Sequence, residues 1–345
     1  MAIWMVRAGK HGEYEQSFLE NGKLYLTWEE LSEDLNKIPD RKALFELLTT
    51  KFPNAPRTRN IVHGGEIWSF VHNIIIGDWI VLPSKLKPAI HVGEVTRAYH
   101  FDPSKEPTLQ HSLGVKWIAR DIPRTAFDKD LLHSMGSTLT ICQIRRNDAE
   151  KRIRAMATSG WKSMPAPGLD WVPADVDDTR EEFDLERAAR DQISKLIVQR
   201  FQGHGLERLV EAVLKAQGYF TYRSSEGADK GIDLLAAPGA LGFGTPRICV
   251  QVKSQESPVD RPTLDQLIGA MQNFHADQGL LVSWGGFKQS VDRERATQFF
   301  RVRLWDQDSL IDQIFEHYDK LDEDTRAELP LKRIWVAVPD DDLYP

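Results

Sequence analysis

Downstream of residue 183, apolar positions recur first at helical and then at strand spacing. FDLERAARDQISKLIVQRF sets Leu185, Ala188, Ala189, Ile193, Leu196 and Ile197 on one helical stripe, and GLERLVEAVLKAQGY gives a second amphipathic helix ending at Gly218. Two apolar strands follow, around Asp233 and Lys253, joined by APGALGFGTP. That loop has glycines but neither the GK[ST] ending nor the following helix of a phosphate loop, so it reads as a hairpin connection. TLDQLIGAMQNFHA then predicts a helix, GLLVSWG a buried strand, SVDRERATQFF a helix, VRLWD a strand and SLIDQIFEHYDKL a final helix. Helix, hairpin, then alternating helix and strand predict an α/β domain with a mixed sheet flanked by helices.

The first part of the chain is patterned differently. GDWIVLPS, HVGEVTRAYHF and GVKWIARDI are apolar runs bounded by Gly and Pro, as in a small, strongly bent sheet or barrel, with SMGSTLTICQI placed to close it. LYLTWEELSEDL predicts a helix from Trp28, with Thr27 as N-cap and Glu29 and Glu30 in its first turn. RRNDAEKRIRAM, residues 145–156, is charged and helical and is expected to leave the domain rather than join its core. From Thr158 to Glu182, prolines, glycines and acidic residues occur without periodicity, which marks a linker. The expected division is a domain over 1–156, a linker over 157–182, a second domain over 183–320 and a tail over 321–345.

A chain of 345 residues with 41% hydrophobic content can furnish two cores. Its two cysteines, Cys142 and Cys249, have no CxxC partner, which points away from a disulfide framework or zinc cluster and towards a reducing cytoplasm. Cys249 lies in an apolar strand and reads as plain core. No segment approaches the length of a membrane span, so no membrane partner is expected. The net charge of -7 argues against a protein coated in basic surface, yet positive potential can be confined to one cleft.

Chemistry concentrates in GADKGIDLLA, residues 227–236, and ICVQVKS, residues 248–254. The first places Asp233 on one strand. The second places Gln251 and Lys253 two apart on the next, hence on one face, with Val250 and Val252 on the other. Phosphodiester hydrolysis needs such parts: oxygen ligands for a hard cation and a fixed positive charge near the attacked phosphorus. A lone Asp or a lone QxK is ordinary strand furniture; the signal lies in their combination and order. Asp229 is read as shaping the GADKG turn.

With these elements in order, residues 183–320 closely resemble the Mrr-type catalytic domain of the PD-(D/E)xK nuclease superfamily. GLERLVEAVLKAQGY resembles that family's first helix, with Glu207 at its acidic position. GADKGID resembles its GxDGGID, CVQVKS its QxK strand, and GLLVSWGGF and VRLWDQDSLI its later strands. The resemblance implies a site for Mg2+, with Mn2+ as a substitute, in which Asp233 ligates the ion directly, Gln251 lends an oxygen to it or to its bound water, Glu207 holds a metal-bound water or a second ion, and Lys253 is the electrostatic partner. Lys230 stands where the family usually has Gly, a departure expected to alter a turn and leave the metal site intact. His204, just ahead of Glu207, either reaches the cleft as a DNA contact or serves as a capping or packed histidine.

The N-terminal region resembles, more weakly, the PUA-like group that includes EVE and YTH-like modules. The likeness rests on IWMVRAG, FLENGKLYLTW, TRN at 58–60, IIIGDWIVLPS and VGEVTRAYHF. It implies an α+β small barrel that holds a modified base, flipped from its stack, in an aromatic-walled pocket. Trp28 and Trp68 are the candidate walls and Asn60 and Ser84 the edge-reading or lining groups, whereas Trp79 and Trp117 read as packing. Ala55 and Pro56 stand where EVE modules often carry a Trp before their RN pair. Arg57, Arg59, Lys85 and Lys87 are either phosphate contacts or solubilising loop charges.

Together these readings predict a modification-dependent, type IV-like DNA restriction endonuclease acting on double-stranded DNA that carries a modified base, in defence against phage. One active centre per chain implies a homodimer at least while cutting. The alternatives are a structure- or damage-directed DNA repair nuclease and a non-cutting nucleic-acid-binding protein. RNA is a further conceivable substrate, because PUA-like modules bind RNA in other settings.

Overall fold

The computed structural model describes residues 1–137, 139–162, 184–224 and 231–335. The chain divides into two compact units, Met1–Ala188 and Ala189–Pro345. Residues 163–182 of the expected linker, Asp229 and Lys230 of the GADKG turn, and 336–345 of the expected tail lie outside the described residues. Among the described residues no helix is long and apolar enough to cross a membrane.

In the first unit, strands β1 (Ile3–Val6), β2 (Lys23–Leu26), β3 (Trp79–Pro83), β4 (Ala89–Phe101), β5 (His111–Pro123) and β6 (Ile141–Gln143) form one sheet in the order β2-β5-β4-β3-β1-β6. β1 runs parallel to β3, and the other neighbours are antiparallel. IWMV in β1 and WIVLP in β3 are buried at every position, the mark of strands covered on both faces. On one face Trp4, Val6, Ile80 and Leu82 share a core with Phe18 of α1 (Glu15–Asn21), Leu44 and Leu48 of α2 (Arg41–Lys51) and Ile67 of α3 (Arg57–Trp68). On the other, Ile3, Met5, Trp79 and Val81 pack with Leu131 and Leu132 of α4 (Lys129–Ser134) and Ile153 and Met156 of α5 (Ala149–Thr158).

Three expectations need correction here. The small closed barrel is not seen: β2 and β6 occupy opposite ends of the sheet and do not pair among the described residues. Helices cover both faces, so closure is not needed to bury the sheet. The charged helix at 145–156 does not leave the domain; it becomes α5, with Ile153 fully buried. The helix expected from Trp28 is absent, replaced by turns and a short 3-10 turn at Leu35–Lys37. In a helix the Leu35 N–H would donate to the Leu31 carbonyl. Instead the Leu31 carbonyl accepts from His111 Nε2 at 2.8 Å and Leu35 N–H donates to the Tyr99 hydroxyl at 3.2 Å, while that hydroxyl lies 2.7 Å from His111 Nδ1. Two side chains from β4 and β5 thus intercept one helical hydrogen bond.

In the second unit, α6 (Leu185–Arg200), in which the division between units falls, and α7 (His204–Ala216) precede β7 (Tyr219–Arg223), β8 (Leu234–Pro238) and β9 (Ile248–Lys253). There follow α8 (Arg261–Asn273), β10 (Gln278–Ser283), α9 (Gln289–Asp292), β11 (Val302–Trp305), α10 (Gln307–His317) and α11 (Glu323–Glu328). The sheet order is β11-β10-β9-β8-β7, parallel from β9 to β11 and antiparallel from β7 to β9. The mixed sheet flanked by helices is therefore as expected. Leu234, Val250, Val252, Leu280 and Val282 pack under α6, α7 and α10, and Cys249, Leu281 and Leu304 under α8. Burial pushes the Cys249 thiol up to about 11, in keeping with a core cysteine.

Two elements differ from expectation. The helix over SVDRERATQFF shrinks to α9, where only Val291 is buried and no apolar stripe holds the rest against the sheet. The tail does not begin at 321, because Leu321 and Leu329 are buried in the core under α7 and Asp322 caps α11 through the Thr325 N–H at 2.8 Å.

Candidate active site

Regular pairing of β8 with β9 runs over Leu234↔Val250, Leu235↔Cys249 and Ala236↔Ile248. One residue earlier the two strands part. The Asp233 N–H donates to the Val250 carbonyl at 3.0 Å, and the Val252 N–H donates to Asp233 Oδ2 at 2.6 Å. A carboxylate oxygen occupies the place that a main-chain carbonyl would take in a continued ladder. This charge-assisted bond fixes Asp233 against the stretch of β9 between Gln251 and Lys253.

Gln251 is only 2% exposed, and its buried Oε1 has no hydrogen-bond partner among the described residues. Leaving a buried amide oxygen unsatisfied costs about 1–3 kcal/mol. Beside it, Gly231 adopts φ +84°, and a Cβ there would stand 3.7 Å from Gln251 Nε2, in ordinary contact, so it is the backbone conformation that requires glycine. A carboxylate and an unsatisfied amide oxygen on adjoining strands are hard donors, which suit Mg2+ or a similar cation. Among the described residues no group of three or more His, Cys, Asp or Glu is placed to hold a metal ion.

Lys253 ends β9 half-buried, in register with the buried Ser283 of β10 and without an ion pair among the described residues. Glu207 sits in the first turn of α7, and its carboxylate meets His204 Nδ1 at 2.8 Å. The His204 side chain is 69% exposed and that of Glu207 16%. α7 packs against the face that carries Val250 and Val252, whereas Gln251 and Lys253 alternate to the other. The structure therefore joins Asp233, Gln251 and Lys253 through one pair of strands and leaves Glu207, with His204, on a separate element.

The N-terminal candidates are differently placed. Trp28 is half-buried and meets the His63 ring edge-on at 5.5 Å. Trp68 ends α3 and lies 4.1 Å from the His72 ring, which is carried by the π-helical turn Ser69–Asn73, with the Arg41 guanidinium 6.0 Å from the indole. Burial holds the His72 imidazole below its ordinary value. Asn60 is buried on α3. Ser84 donates to Glu15 Oε1 at 2.9 Å and accepts from the N–H groups of Leu86 and Lys87 at 3.1 and 3.2 Å. Its hydroxyl is thus engaged in the β3–β4 turn and a buried cluster with His91 rather than offered to a pocket. Lys85 pairs with Asp184 at 3.0 Å and Lys87 with Asp121, so neither presents a bare ammonium to phosphate. Arg57 and Arg59 lie exposed on α3 rather than in a loop, and the Arg57 guanidinium stands 5.9 Å from the Phe45 ring. Trp117 donates to the Phe18 carbonyl at 3.2 Å, and Trp79 is buried beneath Arg154 at 4.4 Å, as expected of packing residues.

The main-chain N–H that anchors Asp233 escaped sequence reasoning, because a backbone group carries no residue-type signal. β7 escaped too, since YFTYR is neither apolar nor cleanly alternating.

Residues 198–314 match the family described as restriction endonuclease, Mrr_cat. Residues 4–144 match a domain of unknown function, DUF8426. No curated protein matches the chain. Among solved structures, similarity is found to the DNA modification-dependent restriction endonuclease AspBHI, at 13% identity and a TM-score of 0.32 over 80% of this chain and 74% of that one. It is also found to the MspJI restriction endonuclease in complex with a 27-mer oligonucleotide, at 15% identity and a TM-score of 0.31 over 74% of this chain. The chain spans 64% of the length of the MspJI chain. Both scores are too low to define a shared fold. With the mixed sheet and the β8–β9 site in place, the family match identifies residues 198–314 as a restriction endonuclease domain of the Mrr type, a DNA nuclease domain.

Proposed function

We propose that the chain is a modification-dependent, type IV-like DNA endonuclease: the second unit hydrolyses phosphodiester bonds with Mg2+ or Mn2+, and the first selects DNA by a modified base turned out of the duplex. The observation that carries the hydrolytic part is the unpartnered, buried Oε1 of Gln251 beside the anchored Asp233 carboxylate. A divalent cation held there would supply Lewis acidity towards the scissile phosphate. Asp233 offers it a charged oxygen whose direction is set by the Val252 N–H. Gln251 offers a neutral one, which limits the negative charge facing an incoming phosphate. The Lys253 ammonium, on the same face of β9, positions the attacking water and offsets charge that builds on the phosphorane-like transition state. Glu207, paired with His204 at the start of α7, lies on the other side of β9, and the centre as proposed is built on Asp233, Gln251 and Lys253.

The recognition part is supported by the half-buried Trp28 and Trp68, each against a histidine ring. A flipped base loses its stacking, and rings of this kind restore it. Double-strand cutting then needs two copies of the chain, and defence against foreign DNA is the corresponding biological role.

A digestion panel tests the proposal. Duplexes carrying methylcytosine, hydroxymethylcytosine, glucosylated cytosine or methyladenine, and an unmodified duplex, are incubated with the protein in Mg2+ or in EDTA. Cutting of a modified duplex in Mg2+ alone is the expected result; equal cutting of every duplex would remove the sensing role.

A further inference from the structure

β7 is the end strand of the second unit's sheet, and Phe220 and Tyr222 on it are 53% and 61% exposed. Both are large aromatic rings left in water. The register Tyr222↔Leu235 and Leu235↔Cys249, with Phe220↔Ala237, places these rings on the face to which Gln251 and Lys253 alternate. Over β9 that face is closed, because Cys249 is buried with Leu264, Leu267 and Met271 of α8. Leu235 is half-buried at the margin, and one strand further out the rings lie open. They form a shelf beside the wall made by α8.

The shelf lies on the same face as the site, offset along the strands. The Tyr222–Leu235–Cys249 row lies two residues from the level of Asp233 and Gln251, roughly 7 Å along the strands, and Tyr222 stands one strand spacing of about 4.8 Å from Asp233's strand and two from Gln251's. The Phe220 ring is fixed from one side by the β8–β9 hairpin: Gly242 has φ +71°, and a Cβ there would fall 2.9 Å from the ring. Exposed Arg247 at the foot of β9 and Lys253 at its end place cations along the same path. Resting on the hydrolytic reading above, we propose that Tyr222, seated beside Phe220, stacks a nucleobase of the strand being cut, next to the scissile phosphate. Flat rings along a phosphate path hold bases of any sequence, which suits a catalytic domain that leaves selection to another part of the chain. A second copy of the chain docked on these rings would cover the face that the phosphate must reach.

The test uses the full chain and duplexes in which 5-iodouracil replaces thymine, irradiated in Ca2+ with crosslinks mapped by mass spectrometry, together with cleavage rates in Mg2+ for the parent, Tyr222→Leu and Tyr222→Phe. Expected are crosslinks on Tyr222 or Phe220, cleavage by Tyr222→Leu about ten-fold or more slower at subsaturating DNA, and Tyr222→Phe within about two-fold of the parent. Absence of crosslinks on β7 with Tyr222→Leu cutting at the parent rate overturns the shelf and leaves the hydrolytic reading standing. Crosslinks at Tyr222 in a protein that cuts no duplex sustain the shelf and overturn the hydrolytic reading. A Tyr222→Phe loss as large as that of Tyr222→Leu overturns stacking in favour of the hydroxyl. Altered sedimentation of Tyr222→Leu without crosslinks assigns the surface to a second copy.

Discussion

Asp233 Oδ2 accepts the main-chain N–H of Val252 at 2.6 Å, so one carboxylate ends the β8–β9 ladder and, in the proposed mechanism, also offers an oxygen to the cation. These two duties separate by substitution. Asp233→Asn keeps an acceptor for Val252 but removes the charge, whereas Asp233→Ala removes both. Cleavage is expected to be lost in each, while urea denaturation shows Asp233→Ala less stable by about 1–2 kcal/mol and Asp233→Asn near the parent. Equal destabilisation of the two would contradict the anchoring role.

Gln251 carries a cost in the cation-free protein. Replacing it with Met removes the unpartnered oxygen at similar volume, so stability without divalent ions should stay level or rise by about 1 kcal/mol. Thermal melting with and without Mg2+ supplies the second half of the test: the parent should gain stability on adding the ion and Gln251→Met should not. An undiminished gain in the variant would move the cation elsewhere.

In the proposed mechanism Lys253 acts on the transition state more than on DNA affinity. Lys253→Ala should therefore bind duplex within a few-fold of the parent yet cleave about a hundred-fold or more slowly under single-turnover conditions. A loss confined to binding would make it a phosphate contact instead.

His111 is expected to make the first unit sensitive to mild acid. It is fully buried, and burial holds its imidazole below the ordinary 6.5, with its Nε2–H given to the Leu31 carbonyl. The folded state thus binds fewer protons than the unfolded one, so this contribution is complete above about pH 6.5 and is lost as pH falls through the folded value. Urea midpoints of the parent between pH 7.5 and 5 should fall more steeply than those of His111→Gln. Parallel profiles would show that His111 does not titrate between the two states.

Much of the second unit was legible because its signals are local and agree with one another. The amphipathic stripes of α6 and α7, the β8–β9 hairpin and the QxK alternation each fix faces within a few residues. What stayed hidden depends on partners distant in sequence. The turn after Leu26 reads as a helix until Tyr99 and His111 take its hydrogen bond. Ser84 reads as a pocket group, and Lys87 as either a phosphate contact or a solubilising charge, until Glu15 and Asp121 claim them. The open sheet of the first unit could not be told from a barrel, since closure depends on whether β2 meets β6, and strand pattern alone is silent on that. At the candidate site, residue types single out Asp233, Gln251 and Lys253, but only the backbone shows the two strands parting at Asp233.

The most direct test of the central claim is the rate of duplex cleavage by the parent and by Lys253→Ala, measured side by side in Mg2+ and in EDTA on the modified-DNA panel. If Asp233, Gln251 and Lys253 form one hydrolytic centre, the parent cuts a modified duplex in Mg2+ only and the variant is slower by about two orders of magnitude. Cutting that persists in EDTA, or a variant as fast as its parent, would contradict it.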